Sequence, residues 1–76
     1  MAHRKPESIQ ALGRTIREVR VERGFTQETF AAHAGLDRSY FGAIERGEFN
    51  VSLSTIFKIA DGLGVTAGEL LSRVKR

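Results

Sequence analysis

The chain has 76 residues and no cysteine. A disulfide framework, a thiolate metal site and a cysteine nucleophile are therefore excluded, and the composition suits a reducing cytoplasm. No apolar run is long enough to span a bilayer, and the opening MAHRKPES lacks the apolar core of a secretory leader, so no membrane partner is expected. There is no Gly-x-Ser-x-Gly elbow, no His-x-x-x-His pair and no phosphate-cradling glycine loop. His3 and His33 stand without obvious ligand partners, so no metal and no cofactor is expected, and no catalysis. The only proline, Pro6, lies in a short opening stretch, residues 1–7, which reads as a loose arm ahead of one domain over residues 8–76.

Charge is present but uneven. The formal net charge is +3 and the pI about 10.0. Residues 1–23 hold six Lys/Arg against three Glu, whereas residues 24–76 hold six basic against six acidic side chains. A basic balance permits an anionic partner without specifying one.

Apolar residues recur at helical spacing, and no segment reads as a strand. Ile9, Leu12, Ile16 and Val19 form one stripe, closed by Gly24, where a left-handed residue ends a helix and lets Phe25 fold back. Four further helix starts repeat one device, a Ser/Thr/Asp cap with an apolar residue just before it and another four after it. Thr26 lies between Phe25 and Phe30, Asp37 between Leu36 and Phe41, Ser52 between Val51 and Ile56, and Thr66 between Val65 and Leu70. Thr66 and Glu69 add a capping box. The spacing predicts an all-α, five-helix domain with helices over roughly 8–23, 27–34, 38–46, 53–62 and 67–74. Connections of about two to six residues suit a compact bundle.

The segment TQETFAAHAGLDRSYFGAIERG, Thr26 to Gly47, is two such helices joined by a tight turn at Gly35. Small Ala31 permits close helix approach, and Phe30, Ala34, Leu36, Phe41 and Ile44 supply apolar contacts between the two helices. These residues resemble the helix-turn-helix of the phage repressor and Cro-like (XRE-type) family. The likeness runs from LGRTIREVRVERGFTQE through AIERGEFNVSLSTIFKIADGLGV, nearly the whole chain. Within that family, DRSYFGAIERGEFN looks like the small controller proteins of restriction–modification systems.

The resemblance implies a transcriptional regulator that binds double-stranded operator DNA as a homodimer, with helix 3 in the major groove, in the cytoplasm at the nucleoid. Helical geometry sets Phe41 and Ile44 inward and Arg38, Ser39, Gly42, Ala43 and Arg46 largely outward. Arg38, Ser39, Tyr40 and Ala43 are then candidate base contacts, Arg38 through guanine O6/N7 and Ala43 through a thymine methyl. Gln27, Gly42, Arg46, Asn50, Ser52 and Thr55 are candidate phosphate contacts, which position a protein without reading sequence. The resemblance further implies a structural ion pair between Arg20 and Glu45. Helices 4 and 5 carry more apolar residues than one stripe needs, and Leu53, Phe57, Val65 and Leu71 are the expected dimer surface. Phe49 reads as core or dimer surface, and Arg73, Lys75 and Arg76 as a solvated tail. The same fold also serves protein-interaction modules and antitoxins, which salt-dependent duplex binding distinguishes from a DNA regulator.

Overall fold

A computed structural model describes residues 6–75. They form α1 (Glu7–Glu22), α2 (Gln27–Ala34), α3 (Arg38–Glu45), α4 (Leu53–Leu63) and α5 (Ala67–Ser72), with no strand among the described residues. The expected all-α, five-helix order is thus present, with corrections at the ends. Glu7 already belongs to α1, because the Pro6 carbonyl accepts from Ile9 N–H at 3.0 Å and Gln10 N–H at 3.3 Å. The rest of the expected arm, residues 1–5, and Arg76 lie outside the described residues. Helix α5 stops two residues early, where Arg73 N–H turns to Leu70 O at 3.2 Å and Val74 N–H to Leu71 O at 3.1 Å. Such i→i+3 bonds tighten and end a last turn.

All four predicted caps are formed. The side chains of Thr26, Asp37, Ser52 and Thr66 accept from the backbone N–H three residues on, at 3.0 to 3.2 Å. Glu69 completes its box by accepting from Thr66 N–H at 2.8 Å. Thr29 does the same for Thr26 at 2.9 Å, a reciprocal contact made by a hydroxyl where a Glu or Gln is usual. At the end of α1, Gly24 takes φ +81°, Gly24 N–H bonds Val21 O and Phe25 N–H bonds Arg20 O. That double bond pattern satisfies the orphan carbonyls of the helix end and turns the chain back towards α2.

Every helix contributes to one core. Ile16 and Val19, Phe30, Phe41 and Ile44, Ile59, and Leu70 are all fully buried. Phe30 and Phe41 bring their rings to 5.0 Å across the α2–α3 junction. Helix α3 packs against both α1 and α2, while α4 covers α2 and α5 bridges α4 to α1. The α1–α3 crossing is very close. A Cβ at Gly13 would stand 2.5 Å from the Glu45 carbonyl oxygen and 2.6 Å from that of Ile44. Arg73 and Lys75, at the expected solvated end, are exposed, and Arg73 also forms a two-pronged surface pair with Glu22 at 3.0 and 2.8 Å. That pair holds the Glu22 carboxyl below the ordinary carboxylate range.

Candidate nucleic-acid interface

Three residues join α2 to α3 and aim the second helix. Gly35 adopts φ +72°, and the next N–H, that of Leu36, bonds Ala31 O at 2.8 Å. Asp37 then caps α3 through Tyr40 N–H, so Arg38 and Ser39 fall in its first turn. Both are exposed, on the side where helical geometry puts them. Tyr40 is half-buried; its ring packs at the margin of the core and lies 5.7 Å from that of Phe49. Phe49 is itself 46% exposed, so it belongs to the surface.

Two expectations about α3 are corrected. Ala43 does not stand outward but is buried, and Gly42, though in line with Arg38, is buried beneath neighbouring side chains. Gly47 lies so close to α1 that a Cβ there would come 2.8 Å from the Gln10 Cα. Ala43 is 5% exposed. It is no surface for a thymine methyl. Gly42 is covered by side chains: its Cβ position lies 3.2 Å from Arg46 Nη1 and 3.4 Å from Gln27 Oε1. The buried arc of α3 is wide because the helix is wedged between two neighbours.

The Arg20–Glu45 pair is present and is the anchor of this region. Arg20 Nε reaches Glu45 Oε2 at 2.6 Å and Arg20 Nη2 reaches Oε1 at 3.1 Å. Arg20 Nη1 donates to the Phe25 carbonyl at 2.8 Å. Both residues are buried, and Gln27 Nε2 adds a third donor to Glu45 at 2.8 Å. One carboxylate thus ties α1, the start of α2 and the end of α3. Charged partners with their remaining hydrogen bonds satisfied are the form in which burial of an ion pair is tolerated. Gln27 as a partner of Glu45 was not foreseen; a glutamine at a helix start carries no sequence signal for a contact eighteen residues away.

The loop after α3 is largely exposed, apart from Gly47 against α1. Arg46 is its first residue and grips Glu48 through Nε at 2.7 Å and Nη2 at 3.3 Å. Chiefly through that hydrogen bond, Arg46 holds the Glu48 carboxyl below its usual range, and Glu48 raises the Arg46 guanidinium. Asn50 is exposed beside an apolar groove of about 340 Å³ that includes Ile9, Val51 and Ile56. The Ser52 hydroxyl is committed to capping α4 and also bonds Thr55 Oγ1 at 3.0 Å.

Leu53 and Phe57 stand one turn apart on α4 and are 62% and 50% exposed; Leu71 on α5 is 43% exposed. Val65 departs from the expectation, since it is partly buried against the core. The exposed apolar side chains of α4 and α5 are therefore the other three; Val21 on α1 and Phe49, a ring that spacing alone did not assign, are exposed as well.

The helix-turn-helix family profile matches residues 16–70, spanning the caps, the turn and α3. The control protein C.MunI of Mycoplasma sp is 43% identical over 65 residues, covering 84% of this chain and 88% of that protein. The restriction–modification controller C.AhdI from Aeromonas hydrophila is 47% identical, with a TM-score of 0.79 over 82% of this chain and 94% of that one. The controller C.Esp1396I, solved as a tetramer on its natural 35-base-pair operator, is 32% identical, with a TM-score of 0.77 over 86% of this chain and 90% of that one.

Proposed function

The chain belongs to the helix-turn-helix (XRE-type) family of transcriptional regulators, and on that premise we propose that it binds operator DNA as a homodimer of the restriction–modification controller kind. The observation that carries the reading is one arrangement. Exposed Arg38 and Ser39 open a helix whose far end is locked, through Glu45, to both α1 and α2. A recognition helix needs that rigidity, because base edges are read by groups held in a fixed frame.

In this reading Arg38 takes guanine O6/N7, Ser39 takes a base edge or phosphate, and the Tyr40 hydroxyl reaches the groove from a ring seated on the core. The start of α2, with Gln27, offers its free N–H groups to a phosphate. Asn50 and Thr55 flank the backbone on the other side, and Ser52 contributes by fixing the start of α4. Ala43, being buried, takes no base. The work proposed is binding at the nucleoid, in the cytoplasm, with no catalytic step.

Selecting bound duplexes from a random pool tests this, and a twofold-symmetric enriched site is the expected result. Arg38→Ala should then lose about 1–3 kcal/mol on that site and relax one position in each half, by titration of substituted duplexes. A uniform loss on every sequence would instead make Arg38 a backbone contact.

The dimer is proposed on Leu53, Phe57 and Leu71, which leave an exposed apolar surface on α4 and α5. Two recognition helices about 34 Å apart would match one turn of the duplex. Phe57→Asp should weaken self-association at least about tenfold while leaving the helical spectrum intact. Sedimentation at matched concentrations would refute the assignment if the variant stayed dimeric.

A further inference from the structure

Arg38, Gly42 and Arg46 lie on one line along α3, each four residues from the next. The middle member has no side chain. The space beside it is instead occupied by Arg46, whose Nη1 lies 3.2 Å from where a Gly42 Cβ would be. A guanidinium has two edges suited to paired acceptors. Glu48 takes the Nε–Nη2 edge, which leaves the Nη1–Nη2 end unclaimed by Glu48, with Nη1 over Gly42. Gln27 Oε1 is 3.4 Å from the same Cβ position, and its amide is oriented by the bond to Glu45.

We propose that Arg46, folded back over Gly42, supplies the base-reading group at the centre of α3, and that Glu48 is the positioning residue that sets its direction. This rests on the DNA-binding reading and reassigns Arg46 from the phosphates to the groove. A phosphate clamp works through net positive charge, and here that charge is offset by a carboxylate in direct contact. A base reader gains from the same contact, because the second edge of the fork is held in one plane for guanine O6/N7. Gly42 is the residue that lets the guanidinium lie this close: even a methyl there would press on Arg46 Nη1 at 3.2 Å and shift it by a few tenths of an ångström, and a larger side chain would need the space it occupies.

The test uses the full chain and the site it selects from the random pool. Affinities are measured for that site, for each single base-pair substitution of it and for an unrelated duplex. Arg46→Ala should reduce discrimination at one position per half-site about tenfold or more. Arg46→Lys should not restore it, since an ammonium has no planar fork. Glu48→Gln should blunt discrimination at that same position while binding to the unrelated duplex holds or tightens, because an acidic group has been removed near DNA. The Arg46–Glu48 pair is exposed, so these variants should melt like the parent. Equal losses on all duplexes for Arg46→Ala, with discrimination intact, would overturn the proposal and return Arg46 to the backbone. Full discrimination in Glu48→Gln would overturn the positioning role. Failure of the parent chain to enrich any site would overturn the DNA reading itself, and this proposal with it.

Discussion

Glu45→Ala should lower unfolding stability by about 3–5 kcal/mol, the usual result of stripping one member from a buried ion pair. The loss is large because three donors converge on this carboxylate. Arg20 would keep its bond to the Phe25 carbonyl but lose its counter-charge at a position that is 7% exposed. Gln27 would lose the contact that orients its amide. A domain of this size has a total stability of only about 4–11 kcal/mol, so the variant should be partly unfolded near body temperature. Denaturant titration of the parent, Glu45→Ala and Arg20→Ala decides the matter. The two single variants should be similarly destabilised, and the double variant Arg20→Leu with Glu45→Leu should recover part of the loss, because no unpaired charge remains. Losses under about 1 kcal/mol would mean that solvent reaches the pair and screens it.

Gly13→Ala is the second large effect, and it comes from a single added methyl. The new carbon would meet two backbone carbonyl oxygens at 2.5 and 2.6 Å, and backbone cannot swing aside as a side-chain tip does. Alanine is worth up to about 1 kcal/mol over glycine in a helix interior, so propensity alone predicts stabilisation. Overpacking typically costs about 1–3 kcal/mol, and two backbone clashes place this site at or above that limit. The net expectation is destabilisation by about 2 kcal/mol or more, together with weakened operator binding, since α3 is the element that must move. A thermal melt reads the first and a duplex titration the second. A melting temperature equal to or above the parent's would show that α1 and α3 part at no penalty.

Helix starts were legible because their cause is local. A hydroxyl or carboxylate, its apolar neighbours and the N–H three residues on all lie within a few residues, and all four such starts are where the pattern put them. The end of α5 was less legible. Apolar Val74 continues the period, but Arg73 is drawn to Glu22, 51 residues earlier in the chain. The expected exposure of Gly42 and Ala43 failed for another reason. Eight residues give barely two turns, too few for periodicity to measure how wide the buried arc is. That width depends on α1, whose Gly13 meets the end of α3, and on the Arg46 and Gln27 side chains over Gly42, contacts no spacing rule anticipates. Arg20 and Glu45 were found through family resemblance, and their geometry supplies the reason such a pair fits here: each has a further partner.

The four capped starts also bear on how fast the domain reaches its native state. Each boundary is fixed by groups three residues apart. The caps therefore bias each helix to begin at the right residue as it forms. Helices this short gain most of their stability when they pack, so formation and docking go together, and chains dominated by such short-range contacts fold in microseconds to milliseconds. Folding of each chain therefore adds little to the delay between its gene being read and its protein acting; synthesis and, for a dimer, the meeting of two chains set that delay.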